Sequence, residues 1–146
     1  MRLHCQKTFL LLVLSTFACS GSTSPTVRGR FALDNIDGRR LPTYPAATPG
    51  LTPTILSSTL ILDQDGHASI TEHRTEWNGT DAIRTTNYTY LITGNRIEFD
   101  YDPPCPPNAN CVAPPKGEIL GRHISLEMGR INTYVIHYNF LRTSAD

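Results

Sequence analysis

Four cysteines, five histidines and thirteen carboxylates are the groups in this 146-residue chain that could bind a metal or move a proton. Cys105 and Cys111 stand in the run DPPCPPNANCVAPP, with five residues between them. That is not a zinc spacing, there is no Cys-x-x-Cys, and no histidine lies in the run, so metal and dithiol chemistry are both poorly served. In an oxidising compartment such a pair closes a disulfide. The ring is short, so its entropic contribution is about 2–3 kcal/mol and its role is to shape one loop. His67 and His73 alternate away from Ala68 and Ile70, and His137 alternates away from Ile136 and Tyr138. These histidines, with His123, are therefore expected in solvent. A metal site would need several of them to converge with a carboxylate such as Glu72 or Glu76, and those two alternate away from His73. Glu98, Asp100 and Asp102 share one face of a strand, opposite Ile97, Phe99 and Tyr101, which makes the acidic face the solvated one.

The chain contains no Gly-x-Ser-x-Gly elbow outside the small-residue tether, no P-loop, no Gly-x-Gly-x-x-Gly and no His-Glu-x-x-His. Nothing points to a nucleophile, a metal or a cofactor, and the reading is of a protein that is not an enzyme. The aromatic residues are the best candidates for binding: Trp77, Tyr88, Tyr90, Phe99, Tyr101, Tyr134 and Tyr138, with Phe140. Amphipathic rings at a barrel mouth suit a small apolar or carbohydrate ligand. The alternative is that the same rings fill the core. Asn78-Gly79-Thr80 and Asn87-Tyr88-Thr89 match glycosylation sequons but carry little weight beside a bacterial-type leader.

The elements that must position these residues are strands. Hydrophobic residues make up 39% and charged residues 18% of the chain, with 11 Pro and 10 Gly, a composition that fits neither a helical bundle nor a disordered polyelectrolyte. Thirteen basic and thirteen acidic residues balance, which argues against an electrostatic nucleic-acid binder. From Val27 onward, short alternating runs are separated by turn residues. Strands are expected over 27–34, 54–62 (Leu56, Ser58, Leu60 and Leu62 on one face), 67–77, 84–93, 97–101, 116–120, 123–128 and 131–142. Turns are expected at Asp37-Gly38, at 63–66, at 78–81, at Gly94-Asn95, at Gly121-Arg122 and at Gly129-Arg130. The proline-rich stretch 41–53 excludes regular helix or central strand. About eight strands joined by tight hairpins close most cheaply as an all-β antiparallel up-and-down barrel, with a two-sheet β-sandwich as the alternative. Such a barrel is just wide enough to pack side chains or to hold one small ligand.

The N-terminus reads as an address. Arg2 and Lys7 precede the apolar run Phe9–Leu14, too short to span a bilayer, so residues 1–18 are expected to be an export signal. Ala18-Cys19 followed by the small residues of 20–24 resembles the lipobox of bacterial lipoproteins, with Thr16 where that family has Leu. The resemblance implies acylation of the Cys19 thiol and a membrane anchor, with residues 19–26 as a flexible tether and 27–143 as one domain. Ordinary cleavage would leave a periplasmic or secreted soluble protein instead. Without Arg2 and Lys7, eleven basic residues face thirteen acidic ones, a net charge of −2 that is not polybasic.

Gly29-Arg30-Phe31-Ala32-Leu33, then Asp37-Gly38 and Leu41-Pro42, resembles the start of small lipocalin-like domains of exported bacterial lipoproteins. Lipocalins carry Gly-x-Trp on the first strand and a basic residue after the last; here Gly29-x-Phe31 and Arg142 stand in those places. The resemblance implies a barrel closed at one end by Phe31 and Arg142, with a ligand cavity at the other. The functional expectation is a lipid-anchored or secreted cell-envelope barrel that binds a small hydrophobic ligand. The alternative is a non-catalytic structural or interaction protein of the envelope with a filled barrel, meeting its partner through the proline loops 41–53 and 102–115.

Overall fold

The computed structural model describes residues 27–45, 53–131 and 134–144. The expected export signal at 1–18, the tether at 19–26 with Cys19, and part of the first proline loop lie outside the described residues. Nine strands are present: β1 Gly29–Ile36, β2 Arg39–Arg40, β3 Thr54–Leu62, β4 His67–Thr75, β5 Asp81–Thr93, β6 Arg96–Tyr101, β7 Lys116–Leu120, β8 His123–Ile131 and β9 Tyr134–Ser144. All pairings are antiparallel, each strand from β3 to β9 lies beside its neighbour in sequence, and β1 pairs with both β3 and β9. That last pairing closes eight strands into an up-and-down barrel and excludes the sandwich. β2 is the extra strand, folded back on β1 through Asp37 and Gly38, whose φ values of 50° and 77° are those of a type I′ turn.

Bulges account for the places where simple alternation fails. In β3 the register slips between Ile55 and Ser57, so Ile55 turns inward (2% exposed) in the place expected for Leu56. In β8 the register slips between Glu127 and Gly129. The strand therefore runs on to Ile131, and Gly129-Arg130 is part of the ladder where a turn was expected. β1 is displaced two residues toward the C-terminus, and β5 begins at Asp81 in place of Arg84.

β7 fits against β8 only because residue 117 is glycine. A Cβ built there would lie 1.9 Å from the Ser125 carbonyl oxygen.

The inner faces fill the barrel. Phe31, Leu60, Leu62, Ile97, Ile124, Leu126 and Phe140 are each at most 1% exposed and form one contiguous core with Tyr88, Phe99 and Tyr138. Burial of this apolar face is the main force holding the barrel closed. The end where β1 begins is capped. Phe31 and Arg142 are register partners, the Arg142 guanidinium sits 5.6 Å over the Phe31 ring, and it donates to the Arg28 carbonyl. We call the opposite end, where β1 finishes, the mouth.

Candidate functional site

The inner face of β4 changes character along its length. Ala68 and Ile70 belong to the apolar core, but the same alternation continues through Glu72 and Arg74 and on to Glu76 just beyond the strand. Three charged side chains therefore enter the mouth from one strand, each with only 17–18% of its side-chain surface exposed. Arg74 donates to Glu76 Oε1 from Nε at 3.0 Å and from Nη2 at 2.9 Å, and its Nη1 lies 3.5 Å from Glu72 Oε2. Arg84, the register partner of Glu72 on β5, donates to the same Glu76 oxygen from Nε at 3.1 Å. The Arg74 hydrogen bond, followed by the charges of both guanidiniums, holds the Glu76 carboxyl below its ordinary pKa.

Groups from other strands converge on this cluster. The Tyr138 phenol on β9 is buried, and that burial, followed by the Glu72 carboxylate, pushes its pKa well above the ordinary tyrosine value. Ser58 on β3 is the other register partner of Glu72; it is 4% exposed, and its Oγ has no hydrogen-bond partner among the described residues. Tyr88 on β5 stacks at 5.3 Å on Tyr101 of β6, and burial raises its pKa to about 12. Five strands thus bring two carboxylates, two guanidiniums, three phenols and an unengaged hydroxyl to the mouth, above a packed apolar floor. The arrangement has hydrogen-bonding capacity of both signs beside aromatic rings.

The expected binding residues divide into three groups. Tyr88, Phe99 and Tyr138 are core residues, 4–5% exposed, with Tyr90 and Tyr101 packed against them. Tyr88 and Phe99 meet edge to face at 5.6 Å. Tyr90 donates to the Asp63 carbonyl at 2.5 Å, toward the capped end. Tyr134 stands on the rim, 48% exposed, and hydrogen bonding to Asp37 raises its pKa. Trp77 departs from the expectation altogether. β4 ends at Thr75, so Trp77 lies in the following turn, 67% exposed, and lines no interior.

Cys105 and Cys111 form a disulfide with Cα atoms 6.3 Å apart, inside the loop that joins β6 to β7. His67, His73 and His137 each lie half-exposed beside a single aspartate: Asp102 at 3.2 Å, Asp81 at 3.7 Å and Asp37 at 3.5 Å. Among the described residues no group of three or more histidines, cysteines or carboxylates is placed to hold a metal ion.

Ser58, Glu72, Arg74 and Glu76 were not expected as site residues. The signal was available: counting by twos from Ala68 and Ile70 leads to Glu72, Arg74 and Glu76, and charges on an inward face need a reason to be there. Compared with protein-family models, curated proteins and solved structures, the chain matches none.

Proposed function

We propose that the protein is an exported, lipid-anchored barrel of the cell envelope that holds a small amphipathic ligand at its mouth. The observation that carries the reading is the convergence of Ser58, Glu72, Arg74, Glu76 and Tyr138 above a filled core. Buried charges and hydroxyls are costly unless they are satisfied. Here the charges satisfy one another, while one buried hydroxyl is left for a partner. The core beneath is occupied by side chains, which favours a ligand with a hydrogen-bonding head at the cluster over one buried deep as an apolar passenger. The rings of Tyr88 and Tyr101 suit its less polar face. The anchor reading rests on the leader and on the Ala18-Cys19 junction.

Native mass spectrometry of the protein purified from its own envelope, followed by denaturation and analysis of released small molecules, tests this. A stoichiometric polar or amphipathic passenger that is lost in Glu72→Gln and Arg74→Gln proteins is the expected result. A passenger unaffected by both substitutions, or none, overturns it. The same spectrum reads acylation at Cys19.

One observation favours a second reading, an envelope interaction protein with a filled barrel. The disulfide loop carries Val112 at 61% exposure in a concavity it shares with Pro104 and Pro114, an exposed apolar group on the outside of the wall.

A further inference from the structure

A concavity of about 480 Å³ indents the capped end of the barrel, lined by Val27, Phe31, Asn95, Ile119, Gly121 and Arg142. Its walls are mostly apolar, apart from Asn95 and Arg142, and no carboxylate lines it among the described residues. The Arg142 Nε–H beneath it is buried with no hydrogen-bond partner among the described residues. Arginines directly follow three of the lining residues: Arg28 after Val27, Arg96 after Asn95 and Arg122 after Gly121. Leu120, beside Ile119, is 58% exposed on the same rim. Of the carboxylates at this end, Asp63 and Asp65 lie in the β3–β4 turn, and Glu118 faces Arg96 across the β6–β7 ladder on the outer face that Leu120 shares. Asp63 Oδ1 is already engaged by the backbone N–H groups of Asp65 and His67. Arg28, Arg96 and Arg122 thus flank the dent, with Glu118 opposing Arg96, so cations outnumber carboxylates next to its lining.

The chain itself supplies the second argument. Residues 1–26 join the described fold at Val27, a residue of this lining. An eight-residue tether, 19–26, reaches at most about 28 Å. A lipid on Cys19 would hold this end, and not the mouth, against the bilayer.

We propose that the capped end docks on an anionic membrane surface, with Leu120 and the dent meeting the acyl boundary and the arginines meeting lipid phosphates. The orientation rests on the anchor reading above; the affinity for an anionic surface does not. Each arginine near such a surface is worth roughly fivefold in binding, and the attraction is screened by salt.

The test uses the chain from Ser20 onward, which keeps every described residue and removes both leader and acylated cysteine. It is floated with vesicles of phosphatidylglycerol and phosphatidylcholine in equal parts, or of phosphatidylcholine alone. Binding to the anionic vesicles only, lost at high salt and weakened about 25-fold by Arg96→Gln with Arg122→Gln, is the expected result. Arg40→Gln, exposed on β2 at the far end of the barrel, should leave vesicle binding unchanged. Equal binding by the double variant, or no binding to anionic vesicles, overturns the proposal. Decanoate added as a free amphiphile separates the sources: if it binds in the dent while vesicles do not, the site serves a soluble ligand and membrane docking is wrong. Failure of Cys19 acylation in the native protein would sink the anchor reading but leave this vesicle result standing.

Discussion

Replacing Ser58 by alanine isolates the unengaged hydroxyl of the mouth. Ser58 is 4% exposed, faces Glu72 across the β3–β4 ladder, and its Oγ has no partner among the described residues. Protein mutational data put the cost of burying such a hydroxyl unpaired at about 1–3 kcal/mol. Alanine removes the oxygen and leaves only a small gap, so the unliganded barrel should gain about 1 kcal/mol. For a domain of this size that raises Tm by about 4 °C. Ligand binding should move the other way, because the ligand loses one hydrogen bond worth about 0.5–1.5 kcal/mol, or roughly two- to twelvefold in Kd. Trp77 is the only tryptophan and is 67% exposed on a turn, so its fluorescence follows the core poorly. Urea unfolding read by far-ultraviolet circular dichroism, with passenger occupancy read by native mass spectrometry, measures both effects. A loss of stability above about 0.5 kcal/mol at unchanged m-value would refute the argument. It would mean that the hydroxyl is already satisfied in the empty protein and that the mouth has no vacant hydrogen-bonding position.

Further predictions concern the frame that holds the site. Burial raises the Tyr88 pKa to about 12 in the folded state against about 10 unfolded, so its contribution is full below pH 10 and is lost as pH rises toward 12. Tyr88→Phe should flatten that alkaline decline in a pH series of urea midpoints. Gly117→Ala sets a Cβ against the Ser125 carbonyl oxygen and should cost about 2–3 kcal/mol by backbone displacement, seen as a lower urea midpoint and as faster amide exchange in β7. Replacing Cys105 and Cys111 together by serine should cost no more than about 2–3 kcal/mol and leave the circular dichroism spectrum of the barrel unchanged, because the bridge closes one loop and joins no two strands. Collapse of the barrel in that variant would show that the loop braces the wall.

The barrel was legible because its signals are local. Asp37-Gly38, the Asp63–Gly66 turn and Gly94-Asn95 each fix a hairpin, and a chain of hairpins leaves few topologies. Phe31 and Arg142 were placed by likeness to a family, and the geometry puts them in contact at the capped end. The failures are also local. A bulge inserts one residue without any composition signal, so Leu56 and Ile55 exchanged faces and Gly129-Arg130 read as a turn. Trp77 follows the last strand residue by two, and its exposure depends on where the ladder stops, which neighbouring strands decide. The mouth was missed for a different reason. Glu72 and Glu76 enter the sequence reading only as carboxylates for a histidine metal site, and Arg74 does not enter it, while the alternation of all three places them inside.

The inward charges have a competing explanation, and the register separates the two. β5 pairs with β4 along Asp81–Thr89 but with β6 only from Tyr88, and β8 pairs with β7 only as far as Glu127. At the mouth, the wall between β5 and β8 therefore presents two strand edges among the described residues. Exposed edges invite pairing with other chains, and charges directed inward near an edge are one way proteins prevent it. Arg84, on the β5 edge itself, fits that protective role, and so does Glu76, which it binds. Ser58 does not. It sits on β3, two strands from that edge, and a neutral buried hydroxyl repels nothing. Tyr138 on β9, beside the β8 edge, is 4% exposed and carries no charge to repel a strand. Edge protection accounts for the charges at the rim but not for Ser58, whose buried hydroxyl has no partner among the described residues and is the position the proposed mouth ligand would fill.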